Sequence, residues 1–516
     1  MLRTIFNTTF GWYLRQRLRT LDAVAARPVE TQRRWLMKLI QRAESTEFGR
    51  AHGFVDIESP ERFAKRVRVQ DYESLKPQIE RMMRGEEDIL WRGRVKYFSK
   101  SSGTTSDRSK YLPVSDENLR DCHIRGTWDT MSFFYDQVPN ARQFAGKSLL
   151  MGGNLEQYQD RPGTITGDIS AIMIDNMPGV ARPFFTPDFE TALLSNFEEK
   201  LARMVEIVSR EKDLAMIGGV PTWTVVFFRK ILEHTGAAHL LEVFPNLQGY
   251  IHGGVSFTPY REQFRRFLPD ENFAYQEIYN ASEGYFAAQS DFSNPDGGMR
   301  LLLDNGVYYE FLPMDQWDAE FPVALTLDQV QIGVDYALLI TTNAGLWRYR
   351  IGDTIEFTSL DPHTIRVTGR TKQFINAFGE EVMVHNTDQA LHVACEQMGC
   401  AVSDYTVAPI YFQRGERGGH EWLVEFEQPP AEPERFADLL DEELQRINSD
   451  YAAKRTADLA LERLQLRVLP PGSFNRWLKQ KGKLGGQHKV PRLANERKYV
   501  EEILAVVHND LGSGNR

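Results

Sequence analysis

The chain has 516 residues, of which 42% are hydrophobic and 26% charged, with 61 basic against 71 acidic side chains for a formal charge of -10. At roughly 150 residues per domain this length suits about three domains, or one large enzyme with an appendage, and it excludes a small binding module. The composition supplies a sizeable core and excludes disorder as the main state, and the acidic balance leaves no global field to draw the chain to nucleic acid or anionic lipid.

The N-terminal segment from Met1 to Thr20 has no continuous apolar stretch and no small-residue cleavage site, so it does not read as a signal peptide. No run approaches the ~18 apolar residues of a membrane span, and no membrane insertion is expected. Arg15, Arg17 and Arg19 read as the solvated face of a helix docked on the core. Helical spacing of Trp35, Leu36, Leu39 and Ile40 predicts a helix over 31–43, and Pro60 opens another over 60–69. From about 95 to 360, short apolar runs such as SLLMGG, LAMIGGV and GVYYEFLP alternate with helical stretches such as 188–209, the alternation of an α/β fold.

The pattern changes near Gly369. A helix over 387–398 stops at Gly399, and strands follow over 405–412 and 421–427, the second alternating Trp422, Val424 and Phe426 with charged residues. Pro433 then opens a helix with Phe436, Leu439, Leu440, Leu444 and Ile447 on one face, and 464–469 is a further strand. This order predicts a small α+β sandwich appended to the main body. Cys122, Cys395 and Cys400 are too few for a disulfide framework and point to a reducing compartment, which predicts a cytoplasmic protein. His392, Cys395 and Cys400 lack a CxxC pair and lie on an amphipathic helical pattern, so they read as core and not as a zinc site.

Four motifs carry chemistry. Between Tyr97 and Pro113, the hydroxyls of Ser101, Ser102, Thr104 and Thr105 surround Gly103, with Lys110 following; such a loop can wrap a polyphosphate with N–H and O–H donors, although GxxxxGK[ST] is absent. Downstream come Tyr279-Asn-Ala-Ser-Glu-Gly284, Arg348-Tyr-Arg-Ile-Gly-Asp353 and Gly485-Gly-Gln-His-Lys-Val-Pro-Arg492. A nucleotide site needs such parts: a ring to stack on adenine (Tyr279), a carboxylate for Mg²⁺ (Glu283), an acceptor for ribose hydroxyls (Asp353) and a lysine against charge at the α-phosphate (Lys489). Taken singly, each also has a plain structural reading: a turn, a core ring, a cap or ion pair, a solvated lysine.

In this order, SSGTTxxxxK, YxxSEG, YRxGD and GQxKxPR resemble the Gretchen Hagen auxin-responsive promoter family of acyl-acid amido synthetases, within the adenylate-forming superfamily of acyl-CoA synthetases and luciferases. The resemblance spans nearly the whole chain, helped by 47–54 (EFGRAHGF), 217–223 (IGGVPTW) and 252–260 (HGGVSFTPY). It implies an α/β fold with a large N-terminal adenylation domain of β-sheets flanked by helices (1–368), a hinge at 369–375, and a small mobile α+β domain (376–516) carrying the catalytic lysine. It also implies a two-step reaction. A carboxylic acid attacks the α-phosphate of MgATP, giving an acyl-adenylate and pyrophosphate, and an amine, usually an amino acid, then displaces AMP to form an amide. ATP and Mg²⁺ are the expected cofactors, and small molecules the only expected partners.

Carried onto matching positions, the resemblance assigns the phosphates to the SSGTT loop, the α-phosphate to Ser282, magnesium to Glu283 and the ribose to Asp353. Arg370, in Gly369-Arg-Thr-Lys, takes the place of a nucleotide-contacting arginine before the hinge. One departure stands out: Asp107 occupies a position that often holds Gly, and it is expected to point outward beside Arg108. Val220, Trp223, Phe257 and Tyr260 are candidates for the acyl pocket or, equally, core contacts. Two alternatives stay open: a ligase that forms a CoA thioester, and a non-catalytic ligand-binding relative.

Overall fold

The computed structural model describes residues 2–101, 110–254, 257, 260–317, 319–371, 374–375, 380, 382–410, 418–448, 451–452, 455, 461–482 and 490–513. They form two compact units: Met1–Val220 with Phe227–Gly254 and Asp270–Val367, and Pro221–Val226 with Val255–Pro269 and Thr368–Arg516.

The first unit opens on the helix Leu2–Ala25, where the sequence expectation needs one correction. Arg17 is not on a solvated face: its guanidinium reaches Asp129 at 2.6 Å and Asp304 at 2.8 Å. Both carboxylates come from segments far along the chain, and pairing offsets the cost of burying each charge. The next helix, Pro28–Ala43, buries Trp35, Leu36, Leu39 and Ile40 as their spacing requires. The helix Pro60–Arg66 is capped by Ser59, whose side chain accepts from the Arg62 N–H, and it stops short of residue 69 because Val67 turns extended and gives its carbonyl to Arg348. The helix expected over 188–209 is two: Asp188 caps Phe189–Ala192 and Asn196 caps Phe197–Val208. Each cap accepts a backbone N–H three residues on, which starts a new helix and does not continue an old one.

Two sheets make the body of this unit. The larger has, in spatial order, Val307–Pro313, Asp335–Thr342, Tyr349–Leu360, His363–Arg370, Met299–Leu301, Gly284–Ala288, Ala274–Ala281, Gly249–Gly253, Leu214–Gly219, Lys147–Leu149 and Phe185–Thr186. Its end nearest Lys147–Leu149 is parallel through Ala274–Ala281. The smaller sheet joins Lys110–Val114, Tyr97–Ser101, Ile165–Gly167 and Leu155–Gln157.

In the second unit the helix Val384–Met398 ends at Gly399, whose φ of 61° suits glycine. The strand Ala401–Ile410 pairs antiparallel with Gly419–Gln428, which pairs parallel with Gln465–Leu469. Trp422, Val424 and Phe426 pack on Phe436, Leu440 and Leu444 of the helix Pro433–Ile447. The opposite face is covered as well: Leu423 and Ala408 pack on Phe474 and Trp477 of the helix Ser473–Gln480 and on Val500 and Ile503 of the helix Lys498–Ser513. Two charged partners in the alternating strand are therefore buried, Glu421 against Arg467 and Arg497, and Glu425 accepting from the N–H groups of Gly472 and Phe474. Among the described residues, no helix is long and apolar enough to cross a membrane.

Candidate functional site

Three of the segments singled out in the sequence leave the sheet side by side. Leu214–Gly219, Gly249–Gly253 and Ala274–Ala281 are adjacent parallel strands, with Gly219 level with His252 and Gly253 level with Ile278. Their carboxyl ends release 217–223, 252–260 and 279–284. Outside the carboxyl ends of parallel strands is where open α/β sheets bind ligands.

The Tyr279–Gly284 motif is a hairpin in which Ser282 and Glu283 form the turn and Gly284 pairs with Ala281. Hairpin tips usually lie in water, yet Ser282 is 5% and Glu283 8% exposed. Just past the turn the register slips between Tyr285 and Ala287, a bulge that re-aims the tip. A second bulge presents Asp353: between the pairs Leu339 with Arg350 and Ala337 with Thr354, the strand Tyr349–Leu360 holds extra residues, and Gly352 takes φ 94°. The two motifs meet there. The Tyr279 hydroxyl donates to Asp353 Oδ2 at 2.7 Å, while its ring packs edge-on against Phe286 at 5.0 Å.

Tyr349 and Tyr72 complete this region. The Tyr349 phenol is fully buried, and burial together with the nearby charges of Glu283 and Asp353 holds its pKa well above the ordinary value. Tyr72 accepts the Tyr111 N–H at 3.0 Å and lies beneath Lys110, whose Nζ is 5.7 Å from the ring centroid. Lys110 is directly across from Ser101 in the smaller sheet. The arginines beside Asp353 are committed elsewhere. Arg348, at φ 45°, is buried against Glu310 and the carbonyls of Ala64 and Val67, and Arg350 lies 4.5 Å from the Trp317 ring centroid.

Ser102, Gly103, Thr104, Thr105 and Lys489 lie outside the described residues, as do Asp107 and Arg108. Ser101 and Arg370 are placed by backbone alone, at the ends of the strands Tyr97–Ser101 and His363–Arg370. Of the acyl-pocket candidates, Val220 precedes the helix Pro221–Thr235 and Trp223 is buried in its first turn. Phe257 packs edge-on to Phe264 at 5.0 Å, and the Tyr260 hydroxyl accepts from Arg492 at 3.0 Å within the second unit. Sequence reasoning missed Tyr72 and Tyr349. Tyr349 carried a signal, being part of the YRxGD motif, whereas nothing in the pattern around Tyr72 marks it.

Comparison with known proteins decides the family. Models of the GH3 family N-terminal, central and C-terminal domains match residues 17–226, 300–370 and 385–498, in that order. The chain belongs to the GH3 family. Among curated GH3 proteins it is 21% identical to indole-3-acetic acid-amido synthetase GH3.6 of Arabidopsis thaliana, over 94% of this chain and 92% of that one. It is 24% identical to jasmonoyl–L-amino acid synthetase JAR4 of Nicotiana attenuata, over 89% and 90%. The GH3.15 acyl acid amido synthetase shares its fold, with a TM-score of 0.78, 16% identity and 95% of each chain covered. A 2-hydroxyisobutyryl-CoA ligase bound to its acyl-adenylate is similar in fold at TM-score 0.62, with 14% identity over 94% and 93%. The chain thus shares its overall fold with both of these enzymes.

Proposed function

We infer that this GH3 protein is an ATP-dependent acyl-acid amido synthetase, which adenylates a carboxylic acid with release of pyrophosphate and transfers the acyl group to an amino acid or other amine with release of AMP. The observation that carries the reading is the meeting of Tyr279 with Asp353 beside the buried turn bearing Glu283, at the carboxyl ends of parallel strands. A carboxylate is a poor electrophile, and exchange of its oxygen for AMP gives it a good leaving group. The protein's share is to align the reactants and neutralise charge.

The assignments follow from chemistry and position. Asp353 accepts from the ribose hydroxyls, Tyr279 sets Asp353 and offers its ring to adenine, and Ser282 faces the α-phosphate. Ser101, Ser102, Gly103, Thr104, Thr105 and Lys110 hold the phosphates, and Arg370 contacts the nucleotide. Among the described residues no cluster of three or more His, Cys, Asp or Glu can hold a metal. Mg²⁺ binds through one or two carboxylates and substrate phosphates, and Glu283 is assigned as its protein ligand. When bound, the ion would neutralise charge on the phosphates. Lys489 is assigned to the carboxylate and α-phosphate in the first step, and residues 369–375 to the hinge about which 376–516 turn between steps. Val220, Trp223 and Phe257 stay with the acyl pocket; Tyr260, engaged by Arg492, is its weakest member.

The names of the relatives support an acyl acid of the indole-acetate or jasmonate kind as substrate, and the cysteine usage supports a cytoplasmic setting. A second reading, thioester formation with CoA, is favoured by the fold shared with a CoA ligase. Pyrophosphate release across a panel of acids, followed by mass spectrometry with mixed amino acids and CoA, separates the two. An amide product supports the first reading and a CoA-dependent thioester overturns it.

A further inference from the structure

The turn that presents Glu283 is held from behind by groups that no sequence motif includes. Beyond the bulge, the neighbouring strand Met299–Leu301 pairs with Ala287 and Ala288, and Leu302 donates its N–H to the Phe286 carbonyl at 2.8 Å, one residue short of Tyr285. The N–H and C=O of Tyr285 therefore need other partners, because an unpaired buried peptide group costs stability. Side chains supply them: the Tyr285 N–H donates to Cys122 Sγ at 3.2 Å, and Asn305 Nδ2 donates to the Tyr285 carbonyl. Burial pushes the Cys122 thiol up to about 12, so it stays a thiol, with its S–H directed at the same carbonyl 3.9 Å away.

Cys122 reaches this point through an irregular helix. The turn Asp116–Asn118 continues into a π-helical stretch, Leu119–Ile124, and then into the regular helix Arg125–Gln137. π-turns are rare and concentrate at functional sites. The whole element is pinned at both ends. At its start Ser115 donates to the Asn343 carbonyl at 2.6 Å and Asn118 to the Asn343 side chain at 2.9 Å, in the connection between the strands Asp335–Thr342 and Tyr349–Leu360, the second of which carries Asp353. Further on, Gly126 lies on the Tyr285 ring so closely that a Cβ would come within 2.4 Å of it, and Thr130 shares a 2.5 Å hydrogen bond with the Tyr285 hydroxyl. One strut thus touches the strand that follows the Glu283 turn and the connection that leads into the strand carrying Asp353.

We propose that Cys122 and Asn305 are positioning residues: by clamping the Tyr285 peptide they fix the angle at which the bulged turn presents Glu283 to the metal and phosphates. The proposal rests on the reading of Glu283 as the magnesium carboxylate. Groups that orient a ligand from behind are worth ~10- to 100-fold in metal affinity.

The test is the Mg²⁺ dependence of acid-dependent ATP–pyrophosphate exchange in Cys122→Ala, Cys122→Ser and Glu283→Gln, with circular dichroism and melting temperature as checks on folding. Cys122→Ala should raise the Mg²⁺ concentration for half-maximal exchange about tenfold while leaving the KM for the acid unchanged. Cys122→Ser, which keeps an acceptor and a donor, should recover to within about threefold of the parent. Should Cys122→Ala fail to fold, Asn305→Asp, which removes the donor to the same peptide, carries the same expectation. Parental Mg²⁺ dependence in Cys122→Ala beside a damaged Glu283→Gln overturns the positioning role alone, as does a serine variant no better than alanine. Parental behaviour of Glu283→Gln overturns the reading of Glu283 and the proposal with it.

Discussion

Replacing Tyr279 by Phe removes a single oxygen from the centre of the site. That hydroxyl donates to Asp353 Oδ2 at 2.7 Å, and both side chains are buried, Tyr279 at 6% and Asp353 at 7% exposure. A hydrogen bond to a charged group contributes about 1.5–3 kcal/mol, and burial keeps the bond toward the upper part of that range. If the bond holds Asp353 where ribose hydroxyls meet it, losing it weakens ATP binding by roughly 10- to 100-fold, at about 1.4 kcal/mol per factor of ten. The ring remains, so the proposed adenine contact is spared, packing on Phe286 persists, and the protein should fold normally. Calorimetric ATP titration of the parent, Tyr279→Phe, Asp353→Ala and the double variant forms a cycle that isolates the pair. The expected outcome is strong coupling, with the double variant little worse than Asp353→Ala alone. Losses that simply add would show that the two side chains meet ATP independently and would refute the pairing of the two motifs.

Other outcomes are expected elsewhere in the chain. Glu283→Gln keeps size but removes charge, and should slow pyrophosphate release by ~10² or more with an intact fold, as judged by circular dichroism. Lys489→Ala should slow adenylation by ~10² or more with little change in ATP affinity, and supplying the synthetic acyl-adenylate should restore amide formation; a selective defect in Lys483→Ala in its place would move the assignment. Arg17→Ala leaves Asp129 buried without its guanidinium and should cost about 3–5 kcal/mol in urea unfolding. Burial depresses the folded pKa of His123 from 6.5 to about 3, so its neutral form adds stability that is complete above pH 6.5 and is lost as pH falls toward 3. Unfolding free energies at pH 7.5 and 4.5 should therefore differ less in His123→Leu than in the parent, by roughly 3 kcal/mol.

What could be read ahead of the structure was whatever is local. Trp35, Leu36, Leu39 and Ile40 announce their helix by period, Gly399 ends another through its positive φ, and YxxSEG and YRxGD mark two segments that the fold brings together. Periodicity describes one element at a time, so it missed what distant segments impose. The alternation in the strand Gly419–Gln428 marks one apolar face and is silent on the second cover, which comes from residues 473–480 and 498–513. Arg17 looked solvated because Asp129 and Asp304 lie far along the chain. A single helix over 188–209 overruns a break that only the fold reveals, where the Asn196 side chain caps a new start. At the site, the motifs fixed the carboxylates but not the Tyr279–Asp353 bond, and nothing in the pattern links Cys122 to Tyr285, since that contact depends on a π-turn meeting a bulge.

The central claim is that the acid is activated through an acyl-adenylate before the amine arrives. It is tested most directly by supplying an acid labelled with ¹⁸O in its carboxylate, together with ATP and an amino acid, and locating the label in the products by mass spectrometry. Attack of the carboxylate on the α-phosphate followed by amide formation leaves one acid-derived oxygen in AMP, none in pyrophosphate and one in the amide. Label in inorganic phosphate beside ADP, or no label in any phosphate product, would contradict it.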